Sequence, residues 1–187
     1  MNGHILDPRS LARIAGIAGT VAAAIAVLVA VTVGASVRGW LGFTFTGVPP
    51  HVGEAAAILV NNGRFVVGMA AAAWVAQLRV PGTPVGDLTR GGRIVAAISS
   101  AVDIVVLLAV LVNVALVGLA AGAYGWRIIP SLLPHGPFEV CAYCIAANLF
   151  LNARRRSVST REWVTAGMAC AGLLILAAGL ETFAWLG

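Results

Sequence analysis

Apolar positions dominate the chain in five long runs, over residues 14–37, 54–78, 94–122, 137–153 and 163–186, with short polar stretches between them. A helix needs about 20 mostly apolar residues to cross a bilayer. The pattern therefore predicts five membrane-spanning helices. The first run is longer than the roughly 7–15-residue apolar core of a cleavable signal peptide, and no small-x-small site ends it. It reads as an uncleaved span. Trp40, Phe43 and Phe45 follow it, and Tyr124 and Trp126 follow the third run. Aromatic side chains there suit a membrane interface.

Polar residues interrupt the runs at a few places. Asn61-Asn62-Gly63-Arg64 divides the second run into halves too short to cross alone, so it reads as one span with a polar centre, locally unwound at Gly63. The third run carries Ser99, Ser100, Asp103 and Asn113, and ends in a small-xxx-small pair, Gly118 and Gly122. Such pairs let helices approach closely in lipid. The fourth run ends in Arg154-Arg155-Arg156, and the fifth contains Cys170 and Glu181.

Composition excludes a soluble domain. The chain is 60% hydrophobic and 10% charged, and its mean hydropathy is +0.96. A soluble domain carries about a quarter charged residues. The fold class is all-α: one polytopic transmembrane bundle over residues 1–187. All 12 basic residues are arginine. Placing the N-terminus inside puts Arg9, Arg13, Arg79, Arg90, Arg93 and Arg154–Arg156 with Arg161 on the cytoplasmic side, against Arg38 and Arg127 outside. The positive-inside rule thus predicts five spans, N-in and C-out. Arginines at the ends of apolar runs are no nucleic-acid signal. Three cysteines in or near apolar runs are no extracellular disulfide framework.

At 1.5 Å per residue, Arg64, Asp103 and Asn148 fall near the midplane of this topology. Asn113, His135, Glu139 and Glu181 fall near its outer face. A charge at the bilayer centre costs on the order of 3 kcal/mol. Arg64 and Asp103 are therefore expected to pair; a proton or substrate path is the functional alternative, and exposure to a partner subunit is the third. The polar network expected inside the bundle is Arg64, Asp103, Asn113, Asn148 and Glu181.

The densest polar turn is Pro134-His135-Gly136-Pro137-Phe138-Glu139. Pro137 has the fixed φ of a first helical residue. Gly136 then reads as the N-cap, and Glu139 as the third helical residue, reaching back to free backbone N–H groups. Metal binding or acid–base work by His135 and Glu139 would need more ligands. His51 and Glu181 are the candidates, but no HExxH-type spacing exists, so no cofactor, metal or catalytic set is assigned. Cys141 and Cys144 form a CxxC near a helix start, where a thiolate is favoured. A relay oxidase would need a second pair, and the remaining cysteine is Cys170, so these cysteines read as small core residues.

Leu132-Leu133-Pro134-His135-Gly136-Pro137-Phe138-Glu139-Val140, followed by a small-residue helix, resembles the motif of the stage II sporulation protein M family of bacterial integral membrane proteins. Ile58-Leu59-Val60-Asn61-Asn62-Gly63-Arg64-Phe65 resembles its double-asparagine segment, and the span from Asn113 to Gly118 its Asn-to-Gly stretch. The resemblance covers roughly residues 53–155. It singles out Pro134, His135, Gly136, Glu139, Asn61 and Asn62. It implies a multi-pass protein of the bacterial cytoplasmic membrane that organises partner proteins without catalysis. The expected partners are the lipid bilayer, other membrane or envelope proteins and further copies of the chain, with no nucleic acid. Two other readings stay open. One is a component of peptide export, immunity or transport, with Arg64, Asp103 and Asn148 lining a path. The other is a membrane-embedded enzyme or thiol oxidoreductase.

Overall fold

The first helix begins before its apolar run. Asp7 accepts hydrogen bonds from the Ser10 amide at 3.1 Å and the Ser10 hydroxyl at 2.8 Å, and Pro8 follows in the first turn. Both features start helices. The Ser10 hydroxyl, with the Ser10 amide behind it, holds the Asp7 carboxyl below its usual range. In the computed structural model, which describes residues 5–42, 50–78 and 90–183, every long element is helical. These are α1 (Pro8–Thr32), α2 (Gly34–Leu41), α3 (Val52–Gln77), α4 (Arg90–Tyr124), the one-turn α5 (Ile129–Leu132), α6 (Gly136–Arg155) and α7 (Thr160–Phe183). A 3₁₀ turn, Gly125–Ile128, joins α4 to α5.

Several boundaries differ from the expected ones. Val33 breaks the first run, and the segment around Arg38 and Trp40 is helical rather than a loop. Helix α3 runs unbroken through Asn61-Asn62-Gly63-Arg64. No unwinding at Gly63 is needed, because asparagine and a single glycine each cost an existing helix only about 1 kcal/mol or less. Phe43, Phe45 and most of the arginine-flanked second loop, including Arg79, lie outside the described residues.

Among the described residues, four helices are long and apolar enough to cross a membrane: α1, α3, α4 and α7. Helix α6 is not among them. It is instead the helix most enclosed by others, packing on α3, α7 and α1. Ala142, Cys144, Ile145, Ala146, Asn148, Leu149, Phe150 and Ala153 are all buried. A helix that faces neighbours rather than lipid tolerates polar groups that find partners there. Exposed apolar residues lie mainly on α1, α4 and α7, as with Val31, Leu107 and Met168.

Contacts define the helix directions. Asn62 meets Glu139, and Gln77 meets Ala153, so α3 and α6 run parallel. His135 meets Glu181 and Arg156 meets Glu162, so α6 and α7 are antiparallel. Helices α1 and α4 run parallel along the Gly118–Gly122 seam. A methyl group on Gly118 would lie 2.8 Å from the Ala22 carbonyl oxygen, and one on Gly122 would lie 2.5 Å from that of Ala26. Only glycine permits this approach. By contrast, nothing comes within 4 Å of a methyl added at Gly16 or Gly19.

That seam sets the register of α4. With Gly118 beside Ala22 and Gly122 beside Ala26, Pro8 is level with Ile104. The first turns of the 35-residue α4 therefore extend about 20 Å beyond the start of α1. Ile5, just ahead of α1, is buried in the core with Met69, Ala73, Ala146 and Phe150. The starts of α1 and α7, the ends of α3 and α6, and Asp103 thus gather at one end of the bundle, the arginine end.

Candidate functional site

The opposite end of α6 carries the most unusual chemistry. His135 caps the helix from the α6 side of the turn, with its carbonyl accepting from the amides of Phe138 and Glu139. Gly136 and Pro137 are the first two helical residues. The expected cap is thus displaced by one residue, because His135 already supplies the carbonyl that closes the first turn. Glu139 does not reach back to the backbone either. Its Oε1 accepts a short hydrogen bond from Asn62 Nδ2 of α3.

His135 and Glu139 are four residues apart and share a helix face. Helix α7 returns alongside and brings Glu181 to both. The imidazole Nε2 lies 4.0 Å from Glu181 Oε2. One ligand atom from each of His135, Glu139 and Glu181 falls within 4.8 Å of the others. His135 is 8% exposed, and both carboxylates are half-buried. Among the described residues, neither carboxylate forms an ion pair with an arginine. The site holds two acids, one imidazole and one amide donor, with an excess of negative charge. Its donor set is that of an N/O metal centre with an open position. Phe65 and Tyr143 meet edge to face at 4.9 Å, one turn below Glu139.

The other expected site residues are dispersed. Asn61 and Pro134 do not join the cluster by any hydrogen bond among the described residues, and Asn61 is exposed. His51 caps α3 in an exposed position. It is about 16 Å along the helix from Asn62, so it does not join Glu181 as a further ligand. Asn113 is exposed and donates to its own helix at Ala109 O, 2.8 Å away. It is no part of an internal network. Cys141 is exposed, whereas Cys144 and Cys170 are buried. Cys170 Sγ donates to Ala142 O at 3.3 Å.

Arg64 and Asp103 do not pair. Asp103 Oδ2 lies 2.7 Å from Arg154 Nη2, and Arg154 Nη1 donates to the buried Ser99 hydroxyl at 3.2 Å. Arg64 is exposed on α3. The expectation failed because it measured depth from residue 94, where the apolar run begins. The glycine seam with α1 sets the true height, and it puts Asp103 at the arginine end. Asn148 is buried as expected, but its partner is the Ile5 carbonyl at 2.6 Å. Arg64, Asp103 and Asn148 therefore line no common path.

Two polar anchors were not anticipated. Gln77 donates to the carbonyls of Ala153 at 2.7 Å and Arg156 at 2.9 Å, and accepts from the Val158 amide at 2.9 Å. Arg156 binds Glu162, which also accepts from the Ser159 amide. The approach of Glu181 to His135 did have a signal in the chain. Helices α6 and α7 are joined by a short link and have similar lengths, so the start of one must face the end of the other.

No family model, curated protein or solved structure matches this chain.

Proposed function

We propose that this chain is a five-span protein of a bacterial cytoplasmic membrane, N-in and C-out, that recruits or organises partner membrane proteins without catalysis. The resemblance to the stage II sporulation protein M family supports this reading. So does the positive-inside rule, because the ends of α3 and α6 and the starts of α1, α4 and α7 share the arginines. Helix α6 is the fifth span. Its 20 residues reach about 30 Å, enough for the hydrocarbon core.

One observation carries the organising role. Val60, Arg64, Val67 and Trp74 form an exposed stripe at helical spacing on α3, and Arg64 is its one charge. Each apolar member is more than half exposed. An arginine on an apolar, outward-facing stripe within a span is costly unless something compensates it. The compensating group is a carboxylate on a membrane-spanning partner. A photocrosslinker at Val67 tests this in native membranes. The expected adduct has a defined mass, survives Arg64→Lys and is lost in Arg64→Leu. An adduct to lipid alone, or one indifferent to Arg64, refutes the partner. A reporter after Gly187 is expected outside and one within residues 79–89 inside; the reverse at both sites refutes the orientation.

A further inference from the structure

We propose that His135, Glu139 and Glu181 bind one divalent transition-metal ion of the zinc class, with Asn62 as the residue that positions Glu139. The inference is independent of the organising role above.

His135 is 8% exposed, yet its Nε2 stands 4.0 Å from the nearest carboxylate oxygen. That is beyond hydrogen-bonding distance. Among the described residues its ring has no hydrogen-bond partner. The ring is thus unsatisfied within the described chain yet reachable, since neither nitrogen is among the fully enclosed polar atoms that lack a partner. The two carboxylates pose the complementary problem. They converge from α6 and α7, and among the described residues no arginine neutralises either of them. A cation between the three resolves both at once.

The spacing suits such an ion. A metal about 2.0–2.2 Å from each donor places donor atoms up to roughly 4 Å apart. The observed limit of 4.8 Å closes to that with small rotations of two flexible glutamates. The donor chemistry selects the ion class. Imidazole favours zinc and its neighbours, whereas magnesium and calcium take oxygen alone. An outer hydrogen bond to one of these carboxylates is already in place. Asn62 Nδ2 occupies Oε1 of Glu139, which leaves Oε2 for the ion and fixes the carboxylate plane. Such outer contacts tune metal sites. Three protein donors leave a position for water or for a group from a partner.

The test uses the full chain in detergent, stripped with chelator and offered Zn2+ or Mg2+. Bound metal and Tm are read together. The expected result is about one Zn2+ per chain with a rise in Tm, and no comparable effect of Mg2+. Glu181→Gln should weaken Zn2+ binding at least about 100-fold, and Asn62→Ala about 10–100-fold. Cys141→Ser should bind as the unaltered chain does. X-ray absorption on the Zn2+-loaded, unaltered protein keeps the test decisive if a variant fails to fold. Nitrogen and oxygen neighbours without sulfur are expected. Absence of Zn2+ uptake, uptake unchanged in Glu181→Gln, loss in Cys141→Ser, or a sulfur neighbour each overturns the site. Stabilisation by acid with no Zn2+ uptake overturns it in favour of a shared proton.

Discussion

The two ends of α6 solve the same problem in opposite ways. At the arginine end each charge that points inward meets its opposite. Arg154 takes Asp103 and Ser99, and Arg156 takes Glu162. Gln77 satisfies two carbonyls near the end of α6 and the Val158 amide beyond it. At the other end, about 22 Å away by the helical rise from Glu139 to Arg154, two carboxylates and an imidazole face one another with a single amide donor. The first arrangement locks α3, α4, α6 and α7 together, although the buried Asp103 Oδ1 has no hydrogen-bond partner among the described residues. The second meets no arginine among the described residues, and the proposed cation is what would complete it. Satisfied polar contacts of this kind specify packing, and unsatisfied ones mark places where a protein interacts with something else.

Substitutions separate the two ends. The largest effect should come from the seam that holds α4 in register. Gly122→Leu would force a side chain against the Ala26 carbonyl and should cost about 3 kcal/mol. Thermal unfolding in detergent measures this. The Asp103–Arg154 coupling read by a double-mutant cycle should vanish in that variant, while the Asn62–Glu139 coupling should persist. If both survive, the seam does not set the register.

Gln77→Ala comes next. It leaves the Val158 amide and two carbonyls without their partner, and should cost about 2 kcal/mol. A loss indistinguishable from zero would mean that water replaces the glutamine.

Asp103→Asn should cost about 1–2 kcal/mol. Side-chain exposures of 29% and 26% for Arg154 and Asp103 discount the larger penalty of a fully buried pair. Adding Arg154→Gln should recover most of the loss. Strict additivity in that cycle would show that the pair is not coupled.

The opposite sign is expected at the other end. With metal removed, Glu139→Gln keeps an acceptor for Asn62 and removes one of two facing charges. A gain of about 1 kcal/mol or less is expected. Destabilisation by this change would erase the contrast between the ends.

The smallest effect concerns Asp7. Its folded pKa lies below the ordinary value of 3.8, so its contribution is present above that value. It is lost as the pH falls through the lower, folded value. Asp7→Asn should flatten this acid dependence while leaving stability at neutral pH essentially unchanged, because asparagine caps a helix about as well as aspartate. A titration of Tm against pH, unchanged between the two proteins, would show that the cap does not contribute.

By itself the sequence determined the helices. That the chain is all-helical, and roughly where its long helices lie, follows from runs of apolar residues, because a helix satisfies its own backbone and needs no distant partner. It also determined that His135 and Glu139 share a face, because four residues make about one turn. Partnership between charges was a different matter. Arg64 and Asp103 looked matched when each helix was measured from the edge of its own apolar run. Only the tertiary structure decided the heights, through two glycines that let α4 slide against α1 until their backbones met. That placed Asp103 beside Arg154 and left Arg64 on an outward face without it. Local pattern sets what each helix is. The register between helices is set by close packing of particular small residues, and a few ångströms of sliding along an axis change every polar partner.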